Sequence, residues 1–324
     1  MNSARVIVVG CGVAGLSSGI RLAESGREVE IWTRDLPPRT TSSIAAAIWY
    51  PYAVGTDGRV VGWSRATYLE FARLASVEGS GVEMVRGIEL LSDGAPDKNA
   101  AHRAVIAGVR ELRRDELPAR SARGFELALP VVEMPIYLEY LLRRFTARGG
   151  RVVERTLASL DEALDAAELV VNCTGLGSRE LAHDRELVAV RGQIVRVERG
   201  AIEQFTLDDY DPRGVTYVVP RSRDCVLGGT REERREDLVP DEAATRAILE
   251  RCAEVEPRLR DARVLSVAVG LRPGRASVRL ESEIPRPGRK ILHNYGHGGA
   301  GVTLSWGCAN EVLALSVRAR SVEL

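Results

Sequence analysis

The stretch Val6–Gly15, Val-Ile-Val-Val-Gly-Cys-Gly-Val-Ala-Gly, constrains this chain more than any other. Val6–Val9 is an unbroken β-branched run, the pattern of a strand buried on both faces. Gly10, Gly12 and Gly15 then fall as G-x-G-x-x-G. Gly10 makes a tight turn, Gly12 lets the backbone approach a pyrophosphate, and Gly15 lets a helix pack on the strand. Leu16, Ile20 and Ala23 give that helix an apolar stripe, Gly26 ends it, and Val29–Trp32 starts a second strand. The whole is a βαβ opening. It places phosphates at a helix N-terminus, where free N–H groups and the dipole favour anions.

A chain of 324 residues is too long for one ordinary core and predicts two domains. Basic and acidic residues balance at 45 each, which argues against nucleic acid as a partner. No apolar run is long enough to span a bilayer, so no membrane partner is expected. The five cysteines are scattered, odd in number and without a C-x-x-C pair. They read as small buried hydrophobes of a reducing compartment, and a cytoplasmic enzyme is the expectation. The four histidines show no metal-ligand spacing, so no metal is expected.

Further along, Thr41–Tyr52 packs hydroxyls, small residues and aromatics together, as close approach to a bulky planar ligand requires. Arg65–Val77 reads as an amphipathic helix, Val82–Leu91 and Val105–Glu111 as strands, and Arg113–Gly124 as a charged loop. Met134–Arg148 is helical. Leu169–Asn172 is a buried strand entering the Gly-rich turn Thr174–Gly177. Leu187–Val197, Val215–Gly229 and Val264–Arg272 are extended, with the helix Asp241–Glu254 among them. Arg289–Asn294 leads into Tyr295–Gly301 and a closing helix, Val302–Val317. Nucleotide-type signals at the start, middle and end, with β-rich stretches between, predict two interleaved domains. Residues 1–50, 131–186 and 265–324 form one, and residues 51–130 and 187–264 the other.

Four stretches together resemble the D-amino-acid oxidase family of flavoenzymes: Val6–Gly15, Thr41–Tyr52, Asn172–Gly175, and Gly270–Pro273 with His293–Cys308. The resemblance implies an α/β plus α+β architecture, with a Rossmann-like FAD-binding domain on a parallel sheet and an interleaved substrate domain with a large mixed β-sheet. The first set of segments above is then the FAD domain. FAD is the implied cofactor. Its ADP half is expected on Gly10, Gly12, Val13, Ala14 and Gly15, near Cys173, Thr174 and Gly175. Thr41, Ser42, Ala46 and Ala47 are expected along the ribityl chain and ring. Gly298, Gly299, Gly301, Val302 and Thr303 offer N–H groups that stabilise charge on the flavin. By the same resemblance Arg272 anchors the substrate carboxylate through its two-pronged guanidinium. Tyr217 assists it, and the Gly299 carbonyl accepts from the substrate amine.

The implied reaction is oxidation of a D-amino acid by molecular oxygen. Hydride passes from Cα to flavin N5, giving a 2-oxo acid, ammonia and hydrogen peroxide. Two places depart from the family pattern. Around the pocket lid, Tyr210 is offset and Arg213 stands nearer the expected aromatic, leaving open a preference for acidic side chains; Tyr50 is expected to line the side-chain pocket. At the end of the second strand an acid should hold the ribose, but the chain offers Arg34, with Asp35 slightly late. Arg34 keeps an NADP-dependent reductase open. Glycine oxidase, sarcosine-type amine oxidases and a D-aspartate-preferring oxidase are nearer alternatives. A non-catalytic nucleotide-binding protein is more remote, and a homodimer is left open.

Overall fold

In a computed structural model, residues 5–52, 55, 57–92, 94, 96–118 and 121–317 are described. Two sheets organise them. The first has six strands in the order Arg279–Arg286, Arg289–Tyr295, Leu169–Asn172, Val6–Val9, Val29–Thr33, Arg151–Glu154. All pairings are parallel except the outer hairpin Arg279–Arg286/Arg289–Tyr295. Val6–Val9 lies at its centre, and its alternation explains why the run is wholly apolar. Val6 and Val8 face the core beneath Leu16 and Ile20, while Ile7 and Val9 face Ala163 and Leu164 on the other side. The helices Val13–Glu24, Met134–Ala147 and Gly301–Val317 cover the first face.

The second sheet is mixed and has nine strands. Along it run Glu232–Glu233, Val188–Glu198, Asp224–Gly228, Thr216–Pro220, Phe205–Asp208, Val82–Leu91, Arg123–Val132 and Arg110–Glu111, and Val264–Gly274 pairs with Val188–Glu198. The helix Glu242–Val255 packs against one face through Ile248 and Cys252, meeting Val195, Val197, Val218 and Leu227. The opposite face, carrying Gly192, Ile194, Tyr217 and Gly270, looks into the large cavity described below.

Several expectations need correcting. Residues 265–274 are expected with the nucleotide-binding segments, but their pairing with Val188–Glu198 puts them in the second sheet. The expected strand Val105–Glu111 shrinks to Arg110–Glu111, because Gly108 turns the chain at φ 73°. The strand Arg123–Val132 begins inside the stretch read as a loop, and the exposed edge strand Arg279–Arg286 was hidden by its charges. The helix expected at Arg65–Val77 starts earlier, at Gly58, where Asp57 accepts from the N–H groups of Arg59 and Val60. Residues 1–4 and 318–324 of the expected nucleotide domain lie outside the described residues.

One ionic junction ties three helices over the first sheet. Glu70 receives Arg73 at 2.8 Å and Arg144 at 3.1 Å, with Arg21 at 3.2 Å. Arg21 and Arg144 both lie over the Trp306 ring, at 4.5 and 4.9 Å. Burial alone raises the Glu70 pKa, but the hydrogen bonds and charges of the three arginines outweigh it and hold it at about 2. A depressed carboxyl contributes stability that is present above its ordinary value of 4.5 and lost as pH falls toward 2. Glu70→Gln is therefore expected to cost roughly 1–3 kcal/mol at neutral pH and to flatten the acid limb of a stability-versus-pH curve. Urea melts at a series of pH values check this; an unchanged acid limb contradicts it.

Candidate active site

The glycines of Val6–Gly15 behave as steric chemistry requires. Gly10 sits at φ 107°, and a Cβ there would lie 2.6 Å from the Cys173 carbonyl oxygen. A Cβ on Gly15 would lie 1.9 Å from the Gly10 carbonyl oxygen, so only glycine lets the helix start this close to the strand. Gly12 leaves the backbone open beside Ser42, whose Oγ accepts from the Val13 N–H at 3.0 Å. This binds the block Thr41–Tyr52 to the first helix.

From this turn a cavity of about 950 Å³ extends to the second sheet. Every residue expected to hold the cofactor lines it except Gly15, whose role is packing. The glycine turn and Cys173–Gly175 lie along it with Arg34 and Asp35. Thr41, Ser42, Ala46 and Ala47 form a small-residue wall, and Gly298–Thr303 closes it at the start of the last helix. The first N–H groups of that helix lack intrahelical acceptors, and the residues that carry them, Gly301, Val302 and Thr303, line the cavity. Thr303 Oγ1 donates to the Tyr50 carbonyl at 2.8 Å and accepts its N–H at 3.1 Å, fixing the wall to this turn. Arg34 is paired with Asp35 at 2.7 Å, so its charge is already balanced. That arrangement suits a ribose better than a 2′-phosphate. A long cavity with a pyrophosphate turn at one end and a small-residue wall beyond it fits FAD.

At the other end, Arg272 and Tyr217 lie on the cavity face of the second sheet. Each crosses a glycine of the neighbouring strand. A Cβ on Gly192 would lie 2.0 Å from Arg272 Nη1, and one on Gly228 would lie 1.9 Å from Tyr217 Cζ. Gly228 is the cross-strand partner of Tyr217. The two side chains therefore lie flat where any larger neighbour would lift them. Arg272 donates from Nη1 to the Thr230 carbonyl at 3.1 Å and has no carboxylate partner among the described residues. Burial pushes the Tyr217 hydroxyl up to about 12 against the opposing field of Arg272, so it stays a neutral donor at physiological pH. A guanidinium without a counter-ion beside a protonated phenol presents the donors that a carboxylate can take up. Gly228→Ala should displace the Tyr217 ring and raise KM several-fold with little change in kcat; an unchanged KM contradicts the placement.

Two expected pocket residues lie elsewhere. Tyr210 does not line the cavity; its hydroxyl accepts from the Lys98 N–H at 3.2 Å and its carbonyl from Ser92 Oγ at 3.1 Å. Arg213 also stands outside it, paired with Asp211 at 2.8 Å and Glu254 at 2.6 Å. Neither closes the site, and Arg213 has no free charge to offer an acidic side chain. Tyr50 does line the cavity.

Residues not singled out also take part. Tyr52 lies against Gly299, where a Cβ would come within 2.5 Å of its ring, and its hydroxyl feels the charge of Arg272. His297 lines the cavity too; burial lowers its pKa to about 4, and Nε2 meets Asn294 Oδ1 at 3.1 Å, so it is a neutral imidazole. The aromatic run at Trp49–Tyr52 was the available signal for Tyr52. Among the described residues no group of His, Cys, Asp and Glu could hold a metal, and no helix is long and apolar enough to cross a membrane.

Comparison with known proteins agrees with this geometry. Residues 5–315 match the family described as FAD dependent oxidoreductase, DAO. A D-amino-acid oxidase of Rubrobacter xylanophilus is 50% identical over 98% of this chain and 97% of its own. One of Streptomyces coelicolor is 41% identical over 96% of each. A crystal structure of glycine oxidase from Geobacillus kaustophilus has the same fold, with a TM-score of 0.80, 20% identity and coverage of 99% of this chain and 96% of that one. Matched along residues 5–315 and 50% identical to a D-amino-acid oxidase over almost its whole length, the chain belongs to the D-amino-acid oxidase (DAO) family of FAD-dependent oxidoreductases.

Proposed function

We propose that this protein oxidises D-amino acids with molecular oxygen, yielding a 2-oxo acid, ammonia and hydrogen peroxide. The observation that carries the reading is the Arg272 guanidinium, without a counter-ion among the described residues, beside the neutral Tyr217 hydroxyl in the cofactor cavity. Bound FAD supplies the two-electron acceptor that oxygen regenerates. The six-stranded sheet carries the FAD side of the site, on the glycine turn, the Thr41–Ala47 wall and the Gly298–Thr303 turn. The nine-stranded sheet carries the substrate side.

Arg272 and Tyr217 hold the α-carboxylate in two charge-assisted or neutral hydrogen bonds, which fixes the orientation of Cα. The Gly299 carbonyl accepts from the amine. Tyr217, with its pKa near 12, holds its proton and acts as a donor, not a base. The apolar wall of the cavity excludes water around the reacting carbon. The choice of the D-enantiomer follows the named activity of the relatives. All five cysteines are buried and free, which suits the reducing cytoplasm proposed for it.

Peroxide release over a panel of D-amino acids, their L-enantiomers, glycine and sarcosine tests the reading. Turnover of D-enantiomers alone is expected. Turnover confined to glycine or sarcosine would place the chain with the amine oxidases instead.

A further inference from the structure

A second cavity of about 630 Å³ adjoins the first, and the two share Tyr52, Asp209, Val215, Gly229 and Thr230. Most polar groups at this junction are already engaged. The Tyr50 hydroxyl donates to Glu89 Oε1 at 3.0 Å and accepts from Asn99 Nδ2 at 2.5 Å. Glu89 is in turn held by Asn99 at 2.9 Å and by Arg103, all three buried. Tyr50 therefore shows the cavity its ring and no free donor. The Tyr52 hydroxyl lies in the field of Arg231, and Arg231 is held by Glu233 at 2.8 Å. Asp208 Oδ1 accepts from the Tyr210 N–H at 3.1 Å.

Asp209 differs from all of these. It is partly buried and lines both cavities, yet its carboxylate makes no hydrogen bond and no ion pair with any described residue. The two cavities thus meet at a partly desolvated carboxylate whose acceptor positions are open, and such groups concentrate at functional sites. Asp209, Tyr52 and Arg272 line the same cavity, and the Tyr52 hydroxyl feels the charges of both Arg272 and Asp209. The junction also adjoins the Arg272–Tyr217 pair directly: Thr230, whose carbonyl accepts from Arg272 at 3.1 Å, and Gly229, where a Cβ would lie 3.2 Å from the Tyr217 hydroxyl, line both cavities.

We propose that Asp209 is the side-chain receptor of the site and selects D-amino acids that carry a cation at the end of the side chain, of the lysine and arginine type. The proposal rests on the D-amino-acid oxidase reading and names its substrate class. Charged neighbours of Asp209 are Lys98 and Arg231, which are positive, and Glu89 and Asp208, which are negative, with Tyr50, Tyr52 and Tyr210 beside it. The second cavity is also lined by Arg213, Arg251, Asp211, Glu232 and Asp241, each already engaged: Arg213 with Asp211 and Glu254, Arg251 with the Gly229 carbonyl, Glu232 with Arg191, and Asp241 with the Ala244 N–H. Lys98 is exposed with Nζ over the Tyr210 ring at 5.9 Å, and Arg231 is committed to Glu233, so neither closes on Asp209. Burial, offset in part by Lys98, pushes the Asp209 carboxyl up to about 6.

The test compares D-lysine with D-norleucine, which has the same carbon chain and no charge, on the holoenzyme. The wild-type protein should favour D-lysine in kcat/KM above about pH 6, and the preference should grow as pH rises through that value, as Asp209 ionises in the free enzyme. Asp209→Asn should lower the D-lysine/D-norleucine ratio by at least about tenfold, the worth of one charge-assisted hydrogen bond. Asp209→Lys should turn the preference toward D-glutamate over D-glutamine. An unchanged ratio in Asp209→Asn, with D-norleucine still oxidised, overturns the assignment of Asp209 and leaves the oxidase reading intact. A yellow protein that oxidises no D-amino acid overturns the oxidase reading, and this inference with it.

Discussion

Arg272→Ala is expected to lower kcat/KM by roughly 2–5 kcal/mol, the loss found when one partner of a buried charge pair is removed. That corresponds to a factor of about thirty to several thousand. The reasoning begins with the backbone. Val264–Gly274 pairs along Val188–Glu198, and Gly192 leaves the space across which the Arg272 side chain lies. Its one side-chain hydrogen bond among the described residues is to the Thr230 carbonyl at 3.1 Å, so the other donors of the fork are open to the cavity that Arg272 lines. Deleting them removes ground-state binding and orientation together, and both KM and kcat should suffer. Arg272→Lys keeps a cation but loses the planar fork, so it should recover only part of the loss. Steady-state kinetics on the flavin-loaded variants check this. Kinetics within twofold of wild type for Arg272→Ala would remove Arg272 from the site.

Gly15→Ala is expected to abolish tight cofactor binding. The new Cβ would sit 1.9 Å from the Gly10 carbonyl oxygen, a backbone atom that no rotamer change can move. The helix Val13–Glu24 must then shift away from Val6–Val9, or the turn must open. Such overpacking costs about 1–3 kcal/mol or more. The shift falls on the N–H groups that face the pyrophosphate and on the Val13–Ser42 contact at 3.0 Å. The variant should emerge from desalting colourless or only partly loaded, with a lowered melting temperature. Full retention of flavin colour would contradict the packing role. Gly26→Ala is a useful contrast: nothing lies within 4 Å of its Cβ, although its φ of 86° still strains the turn. It should lose stability without losing cofactor.

The legible parts of the sequence were those whose physics is local. The strand–turn–helix at Val6–Gly15 is readable because its β-branched run and the spacing of its glycines lie within ten residues, and Gly15 answers a steric demand from Gly10 itself, whereas the Cys173 carbonyl against Gly10 appears only in the fold. Arg272 and Tyr217 were reached through resemblance to a family, not through spacing. What escaped depends on sheet register. Gly192 faces Gly270, and Gly228 faces Tyr217, only once four strands have paired. Val264–Arg272 reads as extended from sequence, but which sheet it joins is decided by Val188–Glu198.

Arg213 shows the same limit from the other side. It stands close in sequence to the substrate-facing strand, yet its ion pair with Glu254 is made 41 positions away and draws it out of the cavity. Tyr210 is likewise held by Lys98 and Ser92, residues of a distant segment. The unusual Arg34–Asp35 pair, by contrast, was legible as an exception. The structure explains it as a self-neutralised pair beside the cavity, where a single carboxylate would otherwise stand.

The most direct measurement is anaerobic mixing of the purified yellow protein with the two enantiomers of one amino acid, followed at the visible flavin absorbance. The D-enantiomer should bleach the band within the mixing experiment, and the L-enantiomer should leave it in place. The Arg272→Ala protein should retain the band but bleach far more slowly. Absence of a flavin band, or equal bleaching by both enantiomers, would contradict a cavity that holds FAD and orients a D-amino acid on Arg272.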